Sequence, residues 1–167
     1  MGLDTARLLP AEEAQAPLIA ALVRRTVEDV YPRYYCREIV DAFRALHTPE
    51  AVGEDIRRGG VYGLWLDGML IGTGTRLESQ ITRVYVAPPF QGRGYGSRIM
   101  DRLEAEIAQS HAAARLEASL PALRMYERRG YRTVRRGRWP VENGVVLVYD
   151  EMEKSLRRES EGAPYGP

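Results

Sequence analysis

The chain has 167 residues, 44% apolar and 28% charged, the size and balance of one folded domain and far from the compositions of disordered, collagenous or membrane-spanning chains. Its 24 basic and 23 acidic side chains leave a formal net charge of +1, so no whole-chain field draws in nucleic acid or an anionic membrane. A single cysteine, Cys36, excludes an internal disulfide, and the two histidines, His47 and His111, give no ligand set with zinc spacing, so no metal is expected.

The first residues lack the basic start and apolar run of a signal peptide, and Ala6 stands where N-myristoylation needs Ser or Thr. No run nears the ~18 apolar residues of a membrane helix. The expectation is a cytoplasmic protein.

Residues 5–9 read as a short first strand. Leu18, Ile19, Leu22, Val23 and Val27 then recur along one helical face. Pro32 interrupts, Ile39, Val40, Phe43 and Leu46 mark a second helix, and Thr48-Pro49 supplies an N-cap and first-turn proline for a third, ended by Gly59-Gly60. Residues 61–66 and 69–75 flank Asp67-Gly68, a two-residue loop suited to positive backbone dihedrals, which predicts a β-hairpin.

A strand over 81–86 follows, stopped by Pro88-Pro89. The next helix puts Ile99, Met100, Leu103 and Ile107 on its apolar face and leaves Asp101, Arg102, Glu106 and Gln109 outside. Residues 115–118 fit a short strand, 121–129 a helix closed by Gly130, and 131–138 and 145–152 an antiparallel pair joined across Asn143-Gly144. The order predicts an α/β protein of α+β type, with a mixed, mostly antiparallel central sheet of six or seven strands and helices on both faces. One domain is expected over 1–158, with a frayed tail over 159–167.

Between the strand 81–86 and its following helix lies Gln91-Gly92-Arg93-Gly94-Tyr95-Gly96. Glycines there let backbone N–H groups turn toward a ligand, and the helix N-terminus adds positive potential, so the segment suits a phosphate. A plain tight connection has the same composition. A Walker A loop fails because Gly96 is followed by Ser97-Arg98 and not by Lys and Ser or Thr. A dinucleotide fingerprint finds an acidic residue, Glu117, near the required distance, but the flanking hairpins leave no repeated βαβ halves.

The run from Val84-Tyr85-Val86 through Gln91-Gly92-Arg93-Gly94-Tyr95-Gly96, followed by Ser119-Leu120-Pro121-Ala122-Leu123-Arg124-Met125-Tyr126-Glu127-Arg128-Arg129-Gly130-Tyr131, resembles the GCN5-related N-acetyltransferases. The first half is similar to that family's strand, Q/R-x-x-G-x-G/A loop and helix, and the second to its A-x-x-x-Y-E-x-x-G-F/Y segment. The order of elements agrees over nearly the whole chain. The resemblance implies the acyl-CoA N-acyltransferase fold and transfer of an acetyl group from acetyl-CoA to an amine, on a small molecule or a peptide. It also allows a homodimer, which no feature of the sequence specifies.

By that resemblance the pantetheine arm would hydrogen-bond the backbone of Val84, Tyr85 and Val86 like an added strand. The pyrophosphate would rest on backbone N–H groups from Gln91 or Gly92 through Gly94, Tyr95 and Gly96, with Ser97 in the first helical turn and Arg93 adding charge. Ser119 stands where many members carry Asn and would donate to the arm or cap the following helix.

Chemistry requires a neutral amine to attack the thioester and a thiolate to leave. Tyr126 matches the family's tyrosine and is the expected proton donor to the coenzyme sulfur, with packing on the sheet as the alternative. Glu78 is the first candidate for the base and Glu117 the second; the strand before the loop, Ile81-Thr82-Arg83-Val84, has no carboxylate where some relatives carry theirs. The absence of an obvious base keeps a non-catalytic acyl-CoA sensor or interaction module as the rival reading.

Tyr31, Tyr34 and Tyr35 border the acceptor region by the same resemblance, though packing accounts for them as well. His47 and His111 read as surface or helix-end residues without a role. Arg135, Arg136 and Arg138, with Trp139, read as a solvated strand end rather than a nucleic-acid patch.

Overall fold

A computed structural model describes residues 5–157; the tail expected to fray lies outside them. The elements in chain order are β1 (Arg7–Pro10), α1 (Ala16–Val30), α2 (Arg37–Leu46), α3 (Pro49–Arg58), β2 (Val61–Leu66), β3 (Met69–Leu77), β4 (Gln80–Val86), α4 (Tyr95–Ile107), β5 (Ala113–Ala118), α5 (Leu123–Arg128), β6 (Arg132–Pro140) and β7 (Val146–Ser155). The strands form one seven-stranded sheet in the order β1-β2-β3-β4-β5-β7-β6. Every neighbouring pair is antiparallel except β4 and β5.

Local chemistry accounts for most boundaries. Thr48 Oγ1 accepts the Ala51 N–H at 3.1 Å, capping α3, and Gly59 ends that helix at φ 82°. Asp67 and Gly68 both have positive φ, 48° and 79°, as a two-residue hairpin turn demands. Helix α5 is shorter than the sequence suggested. Leu120–Ala122 forms a 3₁₀ turn first, where Pro121 has no N–H to give, and the α-helix starts at Leu123.

Two apolar clusters cover the two faces of the sheet. Leu64 and Ile71 pack with Ile99, Met100, Leu103 and Ile107 of α4. Val61 and Leu70 pack with Ile19, Val23 and Val27 of α1 and with Val52 of α3. Helix α4 lies close on β3: a Cβ at Gly74 would collide with Ile99 Cγ2 and lie 3.1 Å from Leu103 Cδ1. Gly74→Ala is therefore expected to destabilise the fold by about 1–3 kcal/mol through overpacking, read as a lower denaturant midpoint at unchanged slope.

One solvent-side expectation changes. Glu106 is half-buried and gathers three donors: the Tyr62 hydroxyl, Arg76 Nε at 2.9 Å and Arg102 Nε at 2.7 Å. The pattern of α4 had placed it outside because periodicity reports only apolar faces; Tyr62 and Arg76 on the sheet reach over to it. Gln109 lies beyond the end of α4.

The sheet is interrupted at its centre. Strands β4 and β5 pair in parallel only at Gln80 with Arg115 and Ile81 with Leu116. Just past this point β4 carries a bulge against β3, and Arg83 there has φ 47°. Such a bulge adds a residue and turns the side chains beyond it to the opposite face. Val84 and Val86 consequently pack with the α4 cluster and Tyr85 with the α1 cluster. Beyond Ile81, β4 and β5 part and leave the β4 edge without a partner strand.

Candidate active site

The gap between β4 and β5 opens into a cavity of about 970 Å³. Along one flank lie Val84, Tyr85 and Val86. At one end lie Gln91, Gly92, Gly94, Tyr95, Gly96 and Ser97, and across the gap Ser119 and Tyr126. Residues far apart in the chain are thus brought to one space by the parting of two strands. Two residues singled out from the sequence stand elsewhere. Arg93 does not line the cavity; its guanidinium sits 5.7 Å from the centre of the Phe90 ring.

Glu78 occupies the exposed β3–β4 turn at φ 54° and borders a separate recess with Arg58, Ser110 and His111. The reason is a tight turn: Leu77 already pairs with Gln80, so Glu78 is carried to the end of the hairpin and away from the gap.

The glycine-rich end is shaped by backbone conformation. Gly92 and Gly94 have φ 75° and 84°, where a side chain is strained, and Gly94 is the N-cap of α4. An α-helix leaves its first N–H groups without intrahelical carbonyls, and the macrodipole adds about half a positive charge there. Gly96 and Ser97 belong to that first turn and line the cavity, an arrangement suited to an anion.

Tyr126 is 6% exposed, and its ring meets Tyr131 edge-on at 5.8 Å. Its hydroxyl has no hydrogen-bond partner among the described residues. Burial pushes its pKa above the usual phenol value, with a further rise from Tyr31, against a lowering by Arg129. The group therefore stays protonated and has its proton to offer to a ligand.

Glu117 lines the cavity as well. Along β5 the buried Ala114, Leu116 and Ala118 alternate with exposed Arg115 and Glu117, so Glu117 points to the face away from α4. Although open to solvent, Glu117 loses part of its hydration to the surrounding protein, which raises its pKa first; Glu151 raises it further, while Arg135 opposes both. A carboxylate made more basic in this way is suited to take a proton from an amine.

The aromatic wall foreseen as packing is both packing and lining. Tyr31 is buried against Phe43 at 4.9 Å, Phe43 meets Trp139 at 5.9 Å, and Tyr31, Tyr34, Phe43 and Trp139 all border the cavity. Tyr35 instead accepts the Leu120 N–H at 2.7 Å, tying the end of α1 to the start of the α5 segment. Arg135 and Arg136 pair with Glu151 and Asp150 at the strand end.

His47 is not a surface residue. It is 8% exposed and lines the cavity, with Nδ1 accepting from Arg83 Nε at 3.2 Å and Nε2 lying 3.3 Å from the Tyr85 hydroxyl. Arg83 in turn donates to Asp55 at 2.7 Å. Burial first, and then the Arg83 charge, lower the His47 pKa to about 4. The unfolded chain thus takes up a proton at this position near pH 6.5 that the folded chain refuses until about pH 4.

Stability contributed by His47 is therefore complete above pH 6.5 and is lost as pH falls toward 4, by about 3 kcal/mol in all. In His47→Gln this part of the acid sensitivity is expected to vanish, seen as a flatter melting temperature between pH 6.5 and 4 than the wild type shows.

Comparison with known proteins bears directly on this arrangement. The family model described as the acetyltransferase (GNAT) domain matches residues 31–156, which include both flanks of the gap. The chain belongs to the GNAT acetyltransferase family. As in that family, the central sheet is the acyl-CoA N-acyltransferase sheet, and the family supports acyltransferase activity for this GNAT chain.

Among solved structures, a GCN5-related N-acetyltransferase from Rhodopseudomonas palustris, described as an aminotransferase of class II, is 25% identical. It superposes with a TM-score of 0.83 over 93% of this chain and 98% of its own. The PaiA N-acetyltransferase of Thermoplasma acidophilum, solved with coenzyme A, shares the fold at 15% identity and a TM-score of 0.71, over 90% of this chain and 99% of its own. The putative acetyltransferase YncA of Salmonella typhimurium, solved with acetyl-CoA, does so at 14% identity and a TM-score of 0.64, over 96% and 99%. No curated protein matches this GNAT chain. No helix among the described residues is long and apolar enough to cross a membrane.

Proposed function

We propose that this chain transfers the acetyl group of acetyl-CoA to a primary amine by direct attack within a ternary complex. The observation that carries the reading is the parting of β4 and β5, which opens one cavity onto the glycine-rich start of α4, Tyr126 and Glu117 together. In this reading the pantetheine arm lies along the unpaired edge at Val84, Tyr85 and Val86, and the pyrophosphate rests on the N–H groups at the start of α4.

The amine nitrogen attacks the thioester carbonyl carbon, and its proton passes to Glu117. The tetrahedral intermediate collapses with loss of the C–S bond, and the sulfur leaves with the electron pair. Tyr126 meets that charge with its hydroxyl proton. An ordinary thiol has a pKa of roughly 8.5 and the buried phenol stands above 10, so Tyr126 acts chiefly as a hydrogen-bond donor to the thiolate. The tyrosines and Trp139 at the far end form the wall against which the acceptor rests. Cys36 is exposed and does not line the cavity, which favours direct transfer over an acyl-enzyme and suits a reducing cytoplasm.

Thermal unfolding with and without acetyl-CoA tests the cofactor half. Ligand at a hundred times its dissociation constant stabilises a folded state by about 2.7 kcal/mol, so a rise of several degrees is expected. No rise at any concentration contradicts it. Mass spectrometry of reactions with a panel of amines, free amino acids and peptides tests the other half: an acceptor heavier by one acetyl group supports transfer, and binding without product across the panel supports the sensor reading instead.

A further inference from the structure

A file of buried and half-buried polar groups runs from α3 to the end of β5. Asp55 accepts from Arg83 Nη1 at 2.7 Å, and Arg83 Nε faces His47 Nδ1 at 3.2 Å. His47 Nε2 lies 3.3 Å from the Tyr85 hydroxyl, that hydroxyl 3.2 Å from the Tyr31 hydroxyl, and that one 3.1 Å from Ser119 Oγ. Tyr31 and His47 are buried, and Ser119 borders the cavity.

The guanidinium fixes the tautomer of His47, and that tautomer orients the file. A guanidinium only donates, so His47 Nδ1 must be the bare nitrogen. With Arg83 beside it and little solvent, His47 stays neutral near pH 7 and carries its one proton on Nε2. Nε2 therefore donates to Tyr85. Each hydroxyl has a single proton and two lone pairs; the orientation that leaves no proton of the file unused has Tyr85 donating to Tyr31 and Tyr31 to Ser119, the bonds themselves allowing either donor. The same ordering rules out His47 as the base, since neither ring nitrogen is left to accept.

We infer that the Asp55–Arg83–His47–Tyr85–Tyr31 file is a directional relay whose output is the Ser119 hydroxyl, aimed as a donor at a carbonyl oxygen of the pantetheine arm. Ser119 follows the last residue of β5, across the gap from Val84, Tyr85 and Val86, so an arm lying on that edge passes it. The inference rests on the cofactor reading above. Arg83, His47, Tyr85 and Tyr31 are positioning residues here: they never touch the coenzyme through this path but decide whether Ser119 can give or must receive.

The test compares two substitutions of similar size at His47. Glutamine reproduces the pattern, accepting from Arg83 with its carbonyl and donating to Tyr85 with its amide. Glutamate, held by Arg83, only accepts; Tyr85 then turns toward it, Tyr31 toward Tyr85, and Ser119 toward Tyr31, so the proton offered to the arm is withdrawn.

Titration calorimetry with coenzyme A is expected to give His47→Gln a Kd within about twofold of wild type and His47→Glu a Kd about three- to tenfold weaker, the worth of one hydrogen bond. Ser119→Ala should weaken wild type by the same factor and add nothing to His47→Glu. Equal affinities for the Gln and Glu variants, additive effects with Ser119→Ala, or a change confined to the KM of the amine would overturn the relay. Should His47→Glu fail to fold, Tyr31→Phe in combination with Ser119→Ala supplies the same non-additivity test. Wild-type protein that binds no coenzyme A overturns the cofactor reading instead, and the two failures are thereby told apart.

Discussion

Tyr126→Phe is expected to lower kcat by about a hundredfold while leaving the Kd for acetyl-CoA within a few-fold of wild type, because removing one preorganised hydrogen-bond donor from a developing anion costs about 10²–10³ in rate. The substitution removes one oxygen whose only available use is toward a ligand: it has no partner among the described residues, whereas the ring is packed against Tyr131. Phenylalanine keeps that packing, so stability should hardly change. The loss should also depend on the leaving group, since a more acidic thiol needs less help; an acyl donor with such a thiol is expected to recover part of the rate. A variant as fast as wild type would remove the role from Tyr126.

Glu117→Gln is expected to give the second large effect, a loss of about a hundredfold in kcat/KM at neutral pH. The sign of its pH dependence follows from the chemistry. In the proposed reaction Glu117 must be ionised and the amine neutral, so kcat/KM is expected to fall as pH falls through either pKa. Between them the profile in wild type should rise with a slope of one, and below the Glu117 pKa, which partial loss of hydration and Glu151 hold above the ordinary glutamate value, with a slope of two. The Gln variant should keep a slope of one throughout. Glu78→Gln serves as comparison: Glu78 lies on the exposed β3–β4 turn outside the cavity, and the wild-type profile is expected. A break in slope that survives in Glu117→Gln, or disappears in Glu78→Gln, reverses the assignment of the base.

Features built from neighbours in the chain were legible in the sequence. The Asp67-Gly68 hairpin, the Thr48 cap and the strand–glycine loop–helix unit around Gly92 and Gly94 each declare themselves through residues whose dihedrals or side chains permit few other conformations. With them came a mixed sheet of six or seven strands, of which the structure has seven, and the part of the cavity lining that lies on β4 and the glycine-rich turn.

The rest depended on contacts between distant segments. Strict alternation along β4 would put Arg83 and Tyr85 on the same face as Ile81; the bulge at Arg83 reverses this, and nothing in Ile81-Thr82-Arg83-Val84 announces a bulge. His47 reads as a helix end because its partners, Arg83 and Tyr85, lie 36 and 38 residues away. The places of the two candidate bases were hidden for a similar reason. Glu78 and Glu117 are both strand glutamates by pattern, and only the two-residue turn after β3 and the parting of β5 from β4 separate a solvent-facing carboxylate from one that lines the cavity.

The most direct test of the whole account is a crystal structure with acetyl-CoA bound. The expected result is an arm hydrogen-bonded to the backbone of Val84–Val86, the pyrophosphate on the first turn of α4 at Gly96 and Ser97, and the thioester sulfur within hydrogen-bonding reach of the Tyr126 hydroxyl. A coenzyme seated elsewhere, or a sulfur turned away from Tyr126 with the gap between β4 and β5 empty, would contradict it.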